Sequence, residues 1–171
     1  MNITEKIIIT DTNIITDLSN ANILDKFVEL DNVYISDLVK NDEVNSKTGD
    51  LKVINKFKTL GITNEQLIEV SILSSKESKL SVYDLINYIL ARDNGGILAT
   101  GDDRLKKYSE KNGIKVIRAL KIIKLLKEKN IISCKKAIKA CILLKECQNT
   151  RIPEEDIDNL IEEFKTETVI V

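Results

Sequence analysis

Four carboxylates recur along the chain where an α/β topology would build a pocket: Asp11, Glu43, Asp84 and Asp102. Asp11 follows three successive Ile residues in K-I-I-I-T-D-T-N (Lys6 to Asn13), and Asp102 follows Ile97-Leu98-Ala99-Thr100-Gly101. Both runs read as short strands buried on two faces, the pattern of a parallel sheet. Ligands of such sheets bind at the carboxyl ends of the strands. Asp84 falls in the first turn of a helix, and Glu43 lies about two turns into a helix that follows the strand Val33-Tyr34-Ile35. Carboxylates that share one crevice are suited to holding a cation. Two of them about 4 Å apart repel by roughly 4 kcal/mol at an effective dielectric of 20. A cluster therefore takes up protons unless a cation joins it.

Each acid also has a plain structural use. Asp11 is a good N-cap for the next helix. Asp84 suits a helix N-terminus, where the dipole favours negative charge. Glu43 reads equally as a solvated helix residue, with Asp42 beside it as a rival, and Asp102-Asp103 could cap the helix starting at Arg104. What these uses do not explain is why acids recur at every point where this topology makes a pocket.

The elements that must position them follow from periodicity. A strand spans about 6–11, a helix 13–30 with Ile14, Ile15, Leu18, Phe27 and Val28 on one face, and a turn Asp31-Asn32. After the second strand, Ser36 or Asp37 caps a helix. Residues 46–50 read as a loop and 51–60 as an amphipathic helix ended by Gly61. Asn64–Val70 fits a continuing helix, and Ile68–Leu73 fits a strand equally well, before a polar loop from Ser74. Ser81-x-x-Asp84 has the form of a capping box with Asp in place of Glu. Its helix ends at Asn94-Gly95-Gly96. A short basic helix, Arg104–Lys111, leads to a last strand at Lys115–Ile117, and helices follow over about 119–129, 133–147 and 154–165. Val169-Ile170-Val171 reads as an edge strand or a disordered end. The alternation of strands and helices implies an α/β fold with a central parallel sheet. Two parts are expected: residues 1–120, and a C-terminal helical extension, 121–171, packed on the same domain.

Composition narrows the chemistry. The 171 residues are 43% hydrophobic but only 4% aromatic, so the core is Ile, Leu and Val. There is no His. That excludes Ser-His-Asp and Cys-His catalysis and every imidazole metal site. A metal would be held by oxygens, which favours Mg²⁺ or Mn²⁺ over Zn²⁺. Cys134, Cys141 and Cys147 share one expected helix and read as reduced core residues. No apolar run is long enough to span a bilayer, and the chain reads as soluble and cytoplasmic. The net charge of −1 conceals an asymmetry: −7 over residues 1–103, +11 over 104–147 and −5 over 148–171. A basic block of this kind can hold an anionic polymer locally.

The series I-T-D-T-N, Y-I-S-D-L-V-K-N-D-E, Y-D-L-I-N-Y-I-L-A and I-L-A-T-G-D-D-R-L resembles the PIN-domain ribonucleases, the VapC-type toxins in particular, over roughly residues 5–120. The first-strand D-x-N and the later T-x-D (Thr100 to Asp102) are its most specific parts. The resemblance implies a three-layer α/β/α fold. It places Asp11, Glu43, Asp84 and Asp102 in an acidic site for Mg²⁺ or Mn²⁺, with Asp103 as an additional acid. Asn13 and Thr100 match positions that support such a site through hydrogen bonds. The implied activity is endonucleolytic hydrolysis of RNA, where the cation readies a water and steadies charge on oxygen. If the toxin likeness holds, a small antitoxin is the expected partner and a homodimer the expected assembly. The segment after residue 118, A-L-K-I-I-K-L-L-K-E-K-N-I-I, looks like a longer PIN subgroup, since short toxins lack so long a tail. Arg104, Lys106, Lys107 and Lys111 lie next to Asp102 and could grip a phosphate backbone. Lys135, Lys136 and Lys139 could extend that track.

Two other functions compete. A PIN-like fold without activity would bind RNA or protein. A haloacid-dehalogenase-type phosphatase also begins at an Asp after the first strand, but it needs a second Asp where this chain has Asn13.

Overall fold

The computed structural model describes residues 5–45 and 48–169. Five parallel strands form one sheet: β1 (Ile8–Thr10), β2 (Val33–Ser36), β3 (Lys58–Leu60), β4 (Ile97–Ala99) and β5 (Lys115–Ile117), in the order β3-β2-β1-β4-β5. β1 is central. Ile8 pairs with Val33 on one side and Ile97 on the other, and Ile9 with Tyr34 and Leu98. Ile8 and Ile9 are fully buried, each contributing about 1.5–3 kcal/mol by leaving water. The chain winds outward from β1 through β2 to β3, then returns to build β4 and β5 on the opposite side. The order therefore reverses between β1 and β4, and a crevice opens beyond their carboxyl ends.

Helices cover both faces. α1 (Thr12–Asn20) and α2 (Leu24–Phe27) pack with α8 (Ala119–Glu128) and α9 (Cys134–Glu146). Against the sheet's β1, β2 and β4 lies α6 (Val82–Asp93), flanked by α5 (Asn64–Lys76) and α7 (Asp103–Lys111). The short helices α3 (Asp37–Asp42) and α4 (Leu51–Ile54) link β2 to β3, and α10 (Glu154–Val169) lies along α9. This is the three-layer α/β/α arrangement with a parallel sheet that the sequence implies.

Several local expectations change. The helix expected over 13–30 is broken after Ala21, because Asn22 takes a positive φ of 55°, a conformation Asn tolerates better than most residues. The helix expected over 51–60 stops at Ile54, and Lys58–Leu60 becomes the edge strand β3 instead. Only its pairing with β2 reveals it, Tyr34 opposite Lys58 and Ser36 opposite Leu60. Lys58 is exposed, as edge strands commonly require, and its Nζ donates to the Asp31 carbonyl at 2.5 Å. The ambiguous 64–73 segment is helical. A capping box between Thr63 and Gln66 starts α5, and the helix continues through Ser74 to Lys76. Asp84 does complete a capping box with Ser81. α6 ends in a Schellman turn, with Gly96 N–H donating to the Ala91 carbonyl at 2.8 Å and Gly95 at φ 58°, a conformation glycine adopts at no steric cost. Glu43 is the residue that closes α3 rather than one inside it. α10 runs past 165 to Val169, and Ile170 and Val171 lie outside the described residues, as do Ser46 and Lys47 of the 46–50 loop. No described helix is long and apolar enough to cross a membrane.

The C-terminal helices share the core of the rest. Ile122, Ile123, Leu126, Ala137, Cys141, Leu144 and Phe164 belong to one continuous buried cluster with Ile14 and Leu18. Asn20 at the end of α1 donates to Cys147 Sγ at 3.3 Å. None of the three cysteines forms a disulfide among the described residues, and burial pushes Cys141 up to about 12. Phe164 is fully buried, with Lys127 Nζ 5.8 Å from its ring centre. Truncation of Phe164 to Ala should cost about 3–5 kcal/mol. Urea unfolding should keep one cooperative transition; an early second transition would mean that α8 to α10 form a separate unit.

Candidate active site

Asp11 leaves β1 at the reversal point of the sheet. Its backbone N–H still pairs with the Ala99 carbonyl at 3.0 Å, and its side chain is only 5% exposed. Four donors surround the carboxylate. Thr12 N–H reaches Oδ1 at 2.7 Å, Asn13 Nδ2 reaches Oδ2 at 2.7 Å, Thr100 Oγ1 donates to Oδ2 at 2.8 Å, and Asn87 Nδ2 lies 3.4 Å from Oδ1. The Thr12 bond is the helix cap, so Asp11 does fill the plain structural role. Capping does not account for the rest. Burial pushes the carboxyl up to about 6; the Thr100 and Thr12 bonds oppose that shift, while the charges of Asp84 and Glu43 reinforce it.

Glu43 and Asp84 thus lie close enough to act on Asp11. Glu43 is half-buried and accepts from Thr12 Oγ1 at 2.8 Å. Its neighbour Asp42 is exposed and instead accepts from Tyr83 at 3.1 Å. Asp84 is half-buried at the start of α6, where its Oδ2 takes the Ser81 N–H at 2.7 Å.

Asp102 joins the group through Thr100. The Thr100 hydroxyl donates to Asp11 and accepts the Asp102 N–H at 3.1 Å. Asp102 Oδ1 caps α7, taking the N–H groups of Arg104 and Leu105 at 2.8 and 2.9 Å. Asp103 turns away to Arg118, 2.9 Å distant. Asn13 spans the crevice, with its Oδ1 accepting the Gly101 N–H at 2.6 Å. A Cβ at position 101 would sit 3.1 Å from that Oδ1, so the glycine permits the approach. Asn13 and Thr100 thus both hydrogen-bond the Asp11 carboxylate. Among the described residues, no three acids stand close enough together to grip a metal as they are placed. Asp84 and Asp102 are instead held by hydrogen bonds within their own helix turns, and Glu43 by the Thr12 hydroxyl. Of the basic residues, Arg104, Lys107 and Lys111 are exposed and Lys106 is half-buried on α7. Arg104 lines a cavity of about 390 Å³ with Gly101, Asp102, Asp103 and Arg151.

A family model described as PIN domain matches residues 7–166. The chain belongs to the PIN-domain family. No curated protein and no solved structure matches it. PIN domains are generally nucleases that act on RNA with Mg²⁺ or Mn²⁺. The matched region includes α8, α9 and most of α10.

The donor set suits such a cation: carboxylates throughout, with no imidazole or thiolate among them. Asp11 carries a buried charge that burial disfavours, and a nearby cation would relieve it. Asn87 adds a second pointer. It is fully buried, and its Oδ1 has no hydrogen-bond partner among the described residues, a condition that costs about 1–3 kcal/mol.

Four residues of this PIN crevice escape the reading of the sequence. Asn87 had a signal, being the one polar residue inside the apolar run L-I-N-Y-I-L-A. Asp17 had little: an acid on the open side of α1, pushed up to about 6 by burial although Arg118 and Arg151 oppose the shift. Arg118 donates to the Gly101 carbonyl at 2.6 Å, and Arg151 approaches Asp102 at 3.9 Å. Neither arginine carries a local pattern.

The raised pKa of Asp11 has a definite sign in stability. Between its ordinary value of 3.8 and about 6, the folded form binds more proton than the unfolded one. Stability is therefore lost as pH rises through that window, by about 3 kcal/mol for a shift of this size. Asp11→Asn cannot titrate there. Urea titrations with a chelator present should show the variant gaining on the wild type by that amount between pH 4 and 7; parallel curves would place the Asp11 pKa near its ordinary value.

Proposed function

We propose that the protein is a divalent-metal-dependent endoribonuclease, a hydrolase of RNA phosphodiester bonds, with Asp11, Glu43, Asp84 and Asp102 as the residues that hold Mg²⁺ or Mn²⁺ and Asp103 as an additional acid. The observation that carries this reading is Asp11: a buried carboxylate at the reversal point of a parallel sheet, with two further acids acting on it. When bound, the cation supplies an activated water and stabilises charge that develops on phosphoryl oxygens. The chain supplies the rest. Thr12, Asn13 and Thr100 fix the Asp11 carboxylate, and Thr12 also holds Glu43 beside it. Arg104, Lys106, Lys107 and Lys111 would hold RNA phosphates as point charges and register the strand. No His is available as a base, so the acids must position the water.

A second reading has an observation in its favour. Glu43, Asp84 and Asp102 each already accept a hydrogen bond from the protein, and no three acids among the described residues are gathered for a metal. On that reading the crevice binds RNA without cutting it. Biologically, the resemblance favours the toxin of a toxin–antitoxin pair, acting in the cytoplasm, inhibited by a small antitoxin and assembled as a homodimer. The exposed apolar side chains of Leu67, Ile68 and Ile72 on α5 support an assembled state.

Incubation of the purified protein with RNA and millimolar Mn²⁺ or Mg²⁺ decides between the two. Cleavage should need the cation. Because loss of a supporting residue costs about 10–100-fold at metal sites, Thr100→Val should fall in that range and Asp11→Asn beyond it. RNA retained on the protein but left intact at every metal concentration would select the binding reading.

A further inference from the structure

Beside the acids, a cavity of about 270 Å³ is lined by Asn13, Thr16, Asp17, Arg118, Asn149 and Arg151. It draws on α1, on the start of α8 and on the loop between α9 and α10, so only the complete fold encloses it. Its contents differ from those of a phosphate hole. Asp17 presents a half-buried carboxylate that receives no side-chain hydrogen bond among the described residues; only the charges of Arg118 and Arg151 oppose its burial. An ionised carboxylate accepts and never donates, and it repels phosphate. Ala119 and Ile152 add apolar wall.

The flanking arginines are held differently. Arg118 is fixed by the Gly101 carbonyl at 2.6 Å and by Asp103 at 2.9 Å, which gives it the rigidity of a stacking platform. The side chain of Arg151 is 82% exposed and only 3.9 Å from Asp102. Arg151 also lines the adjoining cavity that holds Asp102, Asp103 and Arg104. It therefore stands between the polar hollow and the acids.

Resting on the nuclease reading above, we propose that this cavity is a base-reading subsite for guanine, seating the nucleotide next to the scissile phosphate. Single-stranded RNA is read by splayed bases that stack on arginine planes and hydrogen-bond along their Watson–Crick edges. Guanine presents N1–H and N2–H₂ side by side, two donors for the two oxygens of Asp17. Adenine, cytosine and uracil each place an acceptor beside their donor, which would face a carboxylate oxygen. Arg118 stacks on the base, and Arg151 takes the attached phosphate from the side of Asp102. The nuclease would then cut next to G.

Mononucleotides test this without cleavage, since they contain no phosphodiester bond. Calorimetric titration of the full-length protein with 5′-GMP, AMP, CMP and UMP at pH 7.5 should show GMP binding tighter by about tenfold or more, the discrimination expected of a good two-bond pairing. Asp17→Asn and, as a second substitution at the same position, Asp17→Ser should remove the preference with the circular dichroism unchanged. Arg151→Ala should weaken all four nucleotides alike. Equal affinity for the four, no binding of GMP, or a preference that survives both Asp17 variants would overturn the proposal. Metal-dependent cleavage with no bias toward G would also overturn it while leaving the nuclease intact. A GMP preference in a protein that never cuts RNA would do the reverse.

Discussion

The charge on Asp11 is the constraint around which the crevice is arranged. A carboxylate placed where β1 ends is shut away from water by the sheet and by the helices on both faces. Burial alone would drive it to the neutral form. Four donors from three separate elements resist that: the first turn of α1, the interior of α6 and the exit of β4. The balance leaves it near pH 6, ionised at neutral pH at an energetic cost. A structural cap has no need of such a cost, since an exposed Asp would cap α1 equally well.

The parallel sheet explains why the donors arrive together. β4 must lie beside β1 for the order to reverse, and that puts Thr100 one hydrogen bond from Asp11 and one from Asp102. α6 must cover both strands, and that buries Asn87 against the same carboxylate. Glu43, Asp84 and Asp102 have a different status. Each is satisfied singly, by a hydroxyl, by a backbone N–H or by a helix terminus. Like charges gain by staying apart until a cation outweighs their repulsion. The separation of the acids in this structure follows from that electrostatic rule.

The C-terminal helices belong to the same economy of packing. α8 and α9 complete the layer over α1, and the loop that follows α9 carries Arg151 to Asp102. The helical tail therefore shapes the rim of the crevice as well as the core. Rim and core are separable in kind: the core side chains are apolar and shared with α1, whereas the rim is built from arginines, amides and carboxylates.

Much of this was written in local patterns. The Ile run before Asp11, the Ser81–Asp84 box and the T-G-D after β4 are short-range signals, because strand burial, helix capping and tight turns are decided within a few residues. They named the parallel α/β class, and the ordered motifs named the PIN family. β3 was not legible, because a three-residue exposed edge strand has no periodicity of its own and exists only through its ladder to β2. Asp17, Arg118 and Arg151 were hidden for a related reason: their meaning lies in one another's proximity, across segments remote in the chain. The order of residues determined which groups could carry charge and which elements would form. The tertiary fold alone decided which charges would be buried, and which of them would meet, since desolvation and Coulomb forces depend on distance in space.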